Sequence, residues 1–193
     1  MLFRSVSTGR RDAAVAECRT ALERNPESVA EALLLGQLLQ LGGEKSQAEK
    51  IYRDLLNRRP ELLPVANNLA YLLASLETPT PEQLSEALAL ASKASSNGDP
   101  VSQDTLAWVH YRLGDRDSAL EILEQVHRLL PAEPTVTYHL AQVLADKGRT
   151  EDAKALLKQT LDKEKDFPEA EAARKLMEKL LPKIGRASCR ERV

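Results

Sequence analysis

Side chains able to do covalent or metal chemistry are scattered through this 193-residue chain and never meet at a telling spacing. The three histidines, His110, His127 and His139, fall on separate helical stretches with no cysteine partner and no His-Glu-x-x-His pattern, so they predict no metal site. Each reads as a packing or surface histidine. There is no glycine-rich phosphate loop, no Gly-x-Ser-x-Gly elbow and no kinase signature. The 29 Asp and Glu alternate with 27 Lys and Arg along helix faces, as solvated charges do. Neither a catalytic residue nor a cofactor is expected, and the chain does not read as an enzyme. What remains is recognition chemistry: rings that anchor at low entropic cost and side-chain amides that can pair with a bound backbone.

The elements that must carry these groups are helical. Hydrophobic residues make up 42% and charged residues 29%, enough to bury a core, while charges interrupt every apolar run well short of the roughly 20 residues a membrane span needs. Aromatics are only 4%, and Ala, Leu, Glu, Lys and Arg dominate, which predicts an all-α fold. The net charge of -2 offers no basic field for nucleic acid.

A repeat orders the helices. Ala14, Ala48, Ala87, Ala119 and Ala153 are spaced by 34, 39, 32 and 34 residues; Gly9 to Gly43, Gly114 to Gly148 and Pro26 to Pro60 are each 34 apart. A Leu-small pair recurs at Leu35-Gly36, Leu69-Ala70, Leu106-Ala107 and Leu140-Ala141. Leucines four apart form the stripe that packs on the next helix, while Gly36, facing Ala48, lets two helices approach closely. Gly43, Gly114 and Gly148 suit the left-handed position that ends a helix, and Pro60, Pro131 and Pro168 prevent continuation.

These markers resemble the tetratricopeptide repeat. The matching residues are Ala32, Leu35, Gly36, Leu39, Gly43, Ala48, Tyr52, Leu55 and Pro60 in one unit, and Leu106, Ala107, His110, Gly114, Ala119, Leu123, Val126 and Pro131 in another, with His110 replacing a Tyr or large apolar residue. The resemblance implies a right-handed α-solenoid whose first helices line a concave groove. Carried over position by position, the groove residues are Gln37, Asn67, Asn68, Tyr71, Asp104, Trp108, Arg112, Tyr138, His139 and Gln142. A protein or peptide ligand is the implied partner. The alternative for the aromatic members is that they pad the interior between repeats.

The two-carboxylate clamp of co-chaperone relatives is not reproduced: Leu33, Gln37, Val101 and Thr105 stand at four of its positions and only Asn68 matches, so a chaperone C-terminal tail is not the expected ligand. The wording ANNLAYLLA, DTLAWVHYRLGDRDSALEILEQ and FPEAEAARKLMEKL is similar to bacterial exosortase-associated (PEP-CTERM) repeat lipoproteins. That implies an interaction scaffold in an envelope or polysaccharide export system, periplasmic or outer-membrane-associated. Two other readings stand beside it: a structural or self-associating segment of a longer array, and the accessory region of an enzyme whose catalytic domain lies elsewhere.

Both ends read as foreign. Residues 1–5 and 184–193 resemble translated sequencing adapters, which would leave a natural stretch with 23 basic and 28 acidic residues and Cys18 as its one cysteine. Within it the expected layout is a half repeat at 6–26, repeats near 27–60, 61–100, 101–131 and 132–167, and a capping helix at 168–181. The cap is expected to pack Ala170, Ala173, Met177, Leu180 and Leu181. The longer connection 77–83 is expected to be a rigid surface loop, with Thr80 capping, Pro81 at the first helical position and Gln83 completing a capping box.

Overall fold

Glycine ends three of the helices that open a repeat. Gly43, Gly114 and Gly148 have φ of 82°, 89° and 80°, a region a side chain makes costly, so the chain reverses at each. The computed structural model describes residues 8–181, and these two-helix reversals dominate it. Ten α-helices follow in order: α1 (Thr8–Arg24), α2 (Val29–Leu41), α3 (Lys45–Arg58), α4 (Leu63–Ala74), α5 (Pro81–Ala94), α6 (Pro100–Arg112), α7 (Arg116–Leu129), α8 (Pro134–Asp146), α9 (Thr150–Lys163) and α10 (Ala170–Leu180). No strand occurs among the described residues. The adapter-like ends lie outside them.

Consecutive helices pack against each other, and the pairs α2/α3, α4/α5, α6/α7 and α8/α9 do so most extensively. The opening helices also touch in series, α2 to α4, α4 to α6, α6 to α8 and α8 to α10, which makes the all-α fold a solenoid. Burial differs between the two layers for a reason visible in the sequence. Each second helix has one stripe at i, i+4, i+7: Ala48, Tyr52, Leu55 on α3; Ala87, Ala91, Ala94 on α5; Ala119, Leu123, Val126 on α7. The first helices α4 and α8 are buried on most of their circumference, from Val65 to Ala74 and from Val136 to Leu144, because each is covered by its own partner and by two neighbouring repeats.

The 77–83 connection folds as expected. Thr80 Oγ1 accepts from the Gln83 amide at 3.2 Å, Gln83 Oε1 accepts from the Thr80 amide at 2.8 Å, and Pro81 opens α5. Three details depart from expectation. A 3-10 turn, Ser95–Asn97, extends α5 and closes on Gly98 at φ 77°, which shortens the link to α6. In the cap, Leu176 rather than Leu181 packs inward, since α10 begins at Ala170 and ends before Leu181, which stays 49% exposed. The neighbour that demands a small residue at Gly36 is Tyr52, one turn beyond Ala48: a Cβ at Gly36 would sit 2.4 Å from the Tyr52 ring.

Tyr52 is fully buried and has nowhere to move. Gly36→Ala is therefore expected to destabilise the protein by about 1–3 kcal/mol despite the better helix propensity of alanine, read as a lower urea midpoint. An unchanged midpoint would show that α2 and α3 slide apart freely.

Candidate functional site

The structure divides the sequence-derived groove residues into two groups. Gln37 from α2 and Asn67 and Asn68 from α4 line an open pocket of about 580 Å³, together with Leu62, Val101 and Ser102 and an acidic rim of Glu61 and Asp99. Asn67 is 9% exposed, yet its Oδ1 accepts no hydrogen bond among the described residues. A buried amide oxygen without a donor is costly unless something outside supplies one. Asp99 is committed to capping α6, its carboxylate accepting from the Ser102 amide at 2.9 Å and hydroxyl at 2.7 Å. Val101 beside it is 56% exposed.

The second group is packed instead of open. Asp104, Trp108, Tyr138 and His139 are all buried, His139 completely. Trp108 stacks on the His139 ring at 4.2 Å between centroids and on Tyr111 at 4.9 Å, and Tyr71 approaches His139 at 5.9 Å. For these rings the structure shows the interior padding that the sequence left as the alternative. Arg112 is also engaged: its guanidinium donates to the carbonyls of Ala74 and, at 2.9 Å, of Leu76, just where α4 ends. Lys45 donates to Ser75 O at 3.0 Å, so two cations cover the negative end of α4. Gln142, half-buried, reaches Asp146 at 3.4 Å.

Two residues of this inner network escaped the sequence reading. Glu169, at the entrance of α10, accepts from the Tyr71 hydroxyl with one carboxylate oxygen and from the Thr135 hydroxyl, at 2.8 Å, with the other. Thr135 and Glu169 are 34 residues apart, one period, so the repeat itself was the signal that they stand side by side.

Two family models, both described as tetratricopeptide repeat, match residues 110–180 and 6–62. The chain is built of tetratricopeptide repeats. Solved structures agree at the level of the fold. A thermophilic TPR protein of Thermus thermophilus is 24% identical over 89% of this chain and 91% of its own, with a TM-score of 0.70. PilW, a type IV pilus biogenesis factor, is 16% identical over 89% and 83%, with a TM-score of 0.66. Pseudomonas aeruginosa pilF is 20% identical over 89% and 82%, with a TM-score of 0.61. No curated protein sequence matches. Tetratricopeptide repeats generally serve as protein-interaction scaffolds. Among the described residues no cluster of His, Cys, Asp and Glu could hold a metal ion, and no helix is long and apolar enough to cross a membrane.

The electrostatic centre of the tetratricopeptide array is the contact of His139 Nδ1 with both Asp104 carboxylate oxygens, at 3.0 and 2.9 Å. Complete burial is the largest single influence on His139 and works against its charge, but the Asp104 charge, the hydrogen bond to it and the Glu169 charge together outweigh burial and raise the pKa. Burial, then Glu169, pushes the Tyr71 hydroxyl well above its usual range, and burial followed by Glu169 lifts Tyr138 to about 12. Both phenols therefore stay protonated.

Because the folded form holds the His139 proton more tightly than the unfolded chain, this contribution to stability is complete below the ordinary imidazole value of about 6.5. It is lost as pH rises through the raised folded value. Urea midpoints measured upward from pH 6 are expected to fall across that window, and Asp104→Asn should flatten the slope. The opposite slope, or an unaltered one in Asp104→Asn, would contradict the assignment.

Proposed function

We propose that this protein is a non-enzymatic scaffold that binds an extended peptide or partner segment at the amino-terminal half of its concave face. The observation that carries the reading is the open pocket in which Gln37, Asn67 and Asn68 converge while Asn67 Oδ1 lacks a donor. Turning the Asn67 amide outward into the pocket would let a peptide N–H supply that donor, with the Gln37 amide beside it on the same backbone-reading surface. Leu62 and Val101 give the pocket an apolar wall for one side chain of the ligand. The partner-reading residues in this account are Gln37, Asn67 and Asn68, with Tyr71 adjoining them; Asp104, Trp108, Arg112, Tyr138 and His139 shape the surface from beneath. The similarity of the sequence to exosortase-associated lipoproteins supports a place in a bacterial envelope or polysaccharide export system.

The test is selection of peptides from a random library on the whole chain, followed by calorimetric titration of the Gln37→Ala/Asn67→Ala variant. Two hydrogen bonds at about 1 kcal/mol each predict affinity weakened roughly tenfold or more. Melting is followed alongside and affinities are compared where both proteins are folded, because Asn67 is only 9% exposed and its truncation leaves a small cavity. Selected peptides that bind wild type and variant equally would place the site elsewhere.

A further inference from the structure

Repeats in a solenoid touch their neighbours and little else. The bond between Tyr71 and Glu169 breaks that rule: it joins residues 98 apart and reaches from α4 past α6 and α8 to the start of α10. No repeat needs it to form, because α10 already packs on α9 and α8. The receiving end is well built for a carboxylate. Two hydroxyls, from Tyr71 on α4 and Thr135 on α8, each donate to a different oxygen of the same group. Two convergent hydroxyls both donate to a carboxylate in charge-assisted bonds, whereas an amide accepts from one and must turn its NH₂ to the other, a weaker uncharged pairing.

This site adjoins the open pocket. Asn67 and Tyr71 are one helical turn apart on the same face of α4, which places their Cβ atoms about 5–6 Å apart. An extended peptide rises about 3.3 Å per residue. A ligand whose backbone pairs with Asn67 therefore starts on the face of α4 that carries Tyr71, and reaches the Tyr71 hydroxyl by running on toward α8 and α10.

We infer that Tyr71 and Thr135 form a carboxylate-receiving site that Glu169 fills in cis and that an acidic side chain of a bound peptide fills in trans. The inference rests on the peptide-binding reading for its physiological ligand, while the site itself stands on the geometry of Tyr71, Thr135 and Glu169. In the free protein Glu169 then acts as a competitor, and the groove favours peptides carrying Asp or Glu at the matching position.

The probe is N-acetylglutamate α-amide, with N-acetylglutamine α-amide as its uncharged counterpart, titrated into the full chain. The readout is the emission of Trp108, the one tryptophan, which stacks on the His139 ring beside Tyr71. In Glu169→Ala the glutamate probe is expected to give a saturable change, at a half-saturating concentration at least tenfold below that of wild type. The glutamine probe should give none, and Tyr71→Phe combined with Glu169→Ala should lose the response. If Glu169→Ala loses helical circular dichroism, Glu169→Gln, which keeps the size and drops the charge, is titrated in the same way. Equal responses to the two probes, equal responses with and without the Tyr71 hydroxyl, or no saturable response in the folded emptied variant would each overturn the inference. None of those results touches the Asn67 pocket, whose own titration uses selected peptides, so the two readings fail separately.

Discussion

The buried contact between Asp104 and His139 is the constraint on which the inner surface depends. Both groups lie out of water, and each is tolerable there only because of the other. Removing one partner of such a pair typically costs about 3–5 kcal/mol, because the survivor is left as an uncompensated buried polar or charged group. The contact spans 35 residues and fixes α6 against α8 in rotation as well as distance, since a planar imidazole must present Nδ1 to the carboxylate. Once the ring is set, Trp108 stacks on it, and Tyr71 and Tyr138 take tilted positions around it at 5.9 and 5.7 Å.

The two halves of the concave face differ as a consequence. Toward the carboxyl end, rings from α4, α6 and α8 and the Glu169 carboxylate fill the space that repeat stacking would leave open. Toward the amino end, α2 and α4 carry amides in place of rings, and a pocket remains. A closely packed half thus adjoins a half with an open pocket along α4, whose carboxyl end is held by Lys45 and Arg112 while its amino end lines the pocket. The surface ion pairs between second helices, such as Arg53 with Glu86 and Arg149 with Glu124, lie in water and add little to this division.

Most of the architecture was legible in the sequence because it is written in local, periodic signals. Glycine at the reversals, proline at helix starts and a small residue every 34 or so positions each act within one or two turns, which is why the helix-pair pattern is readable from them. The inner network was less legible for a physical reason. Whether Trp108 or His139 points to solvent or to a neighbouring ring depends on how closely α4, α6 and α8 approach, which no single repeat encodes. The sequence placed Asp104 and His139 among the groove residues, but their pairing needs the curvature of three repeats together. Glu169 was hidden because its helix reads as a cap, and its role depends on Tyr71, three first helices away.

The carboxyl-terminal half of the concave face is packed interior and not open groove. Acrylamide quenching of Trp108 reports on that packing, since the chain has no other tryptophan and this one is 8% exposed. Blue-shifted emission and a quenching constant several-fold below that of the urea-unfolded chain are expected. Quenching in the native protein as efficient as in the unfolded one would mean that the rings face solvent, and the division of the groove would fall with it.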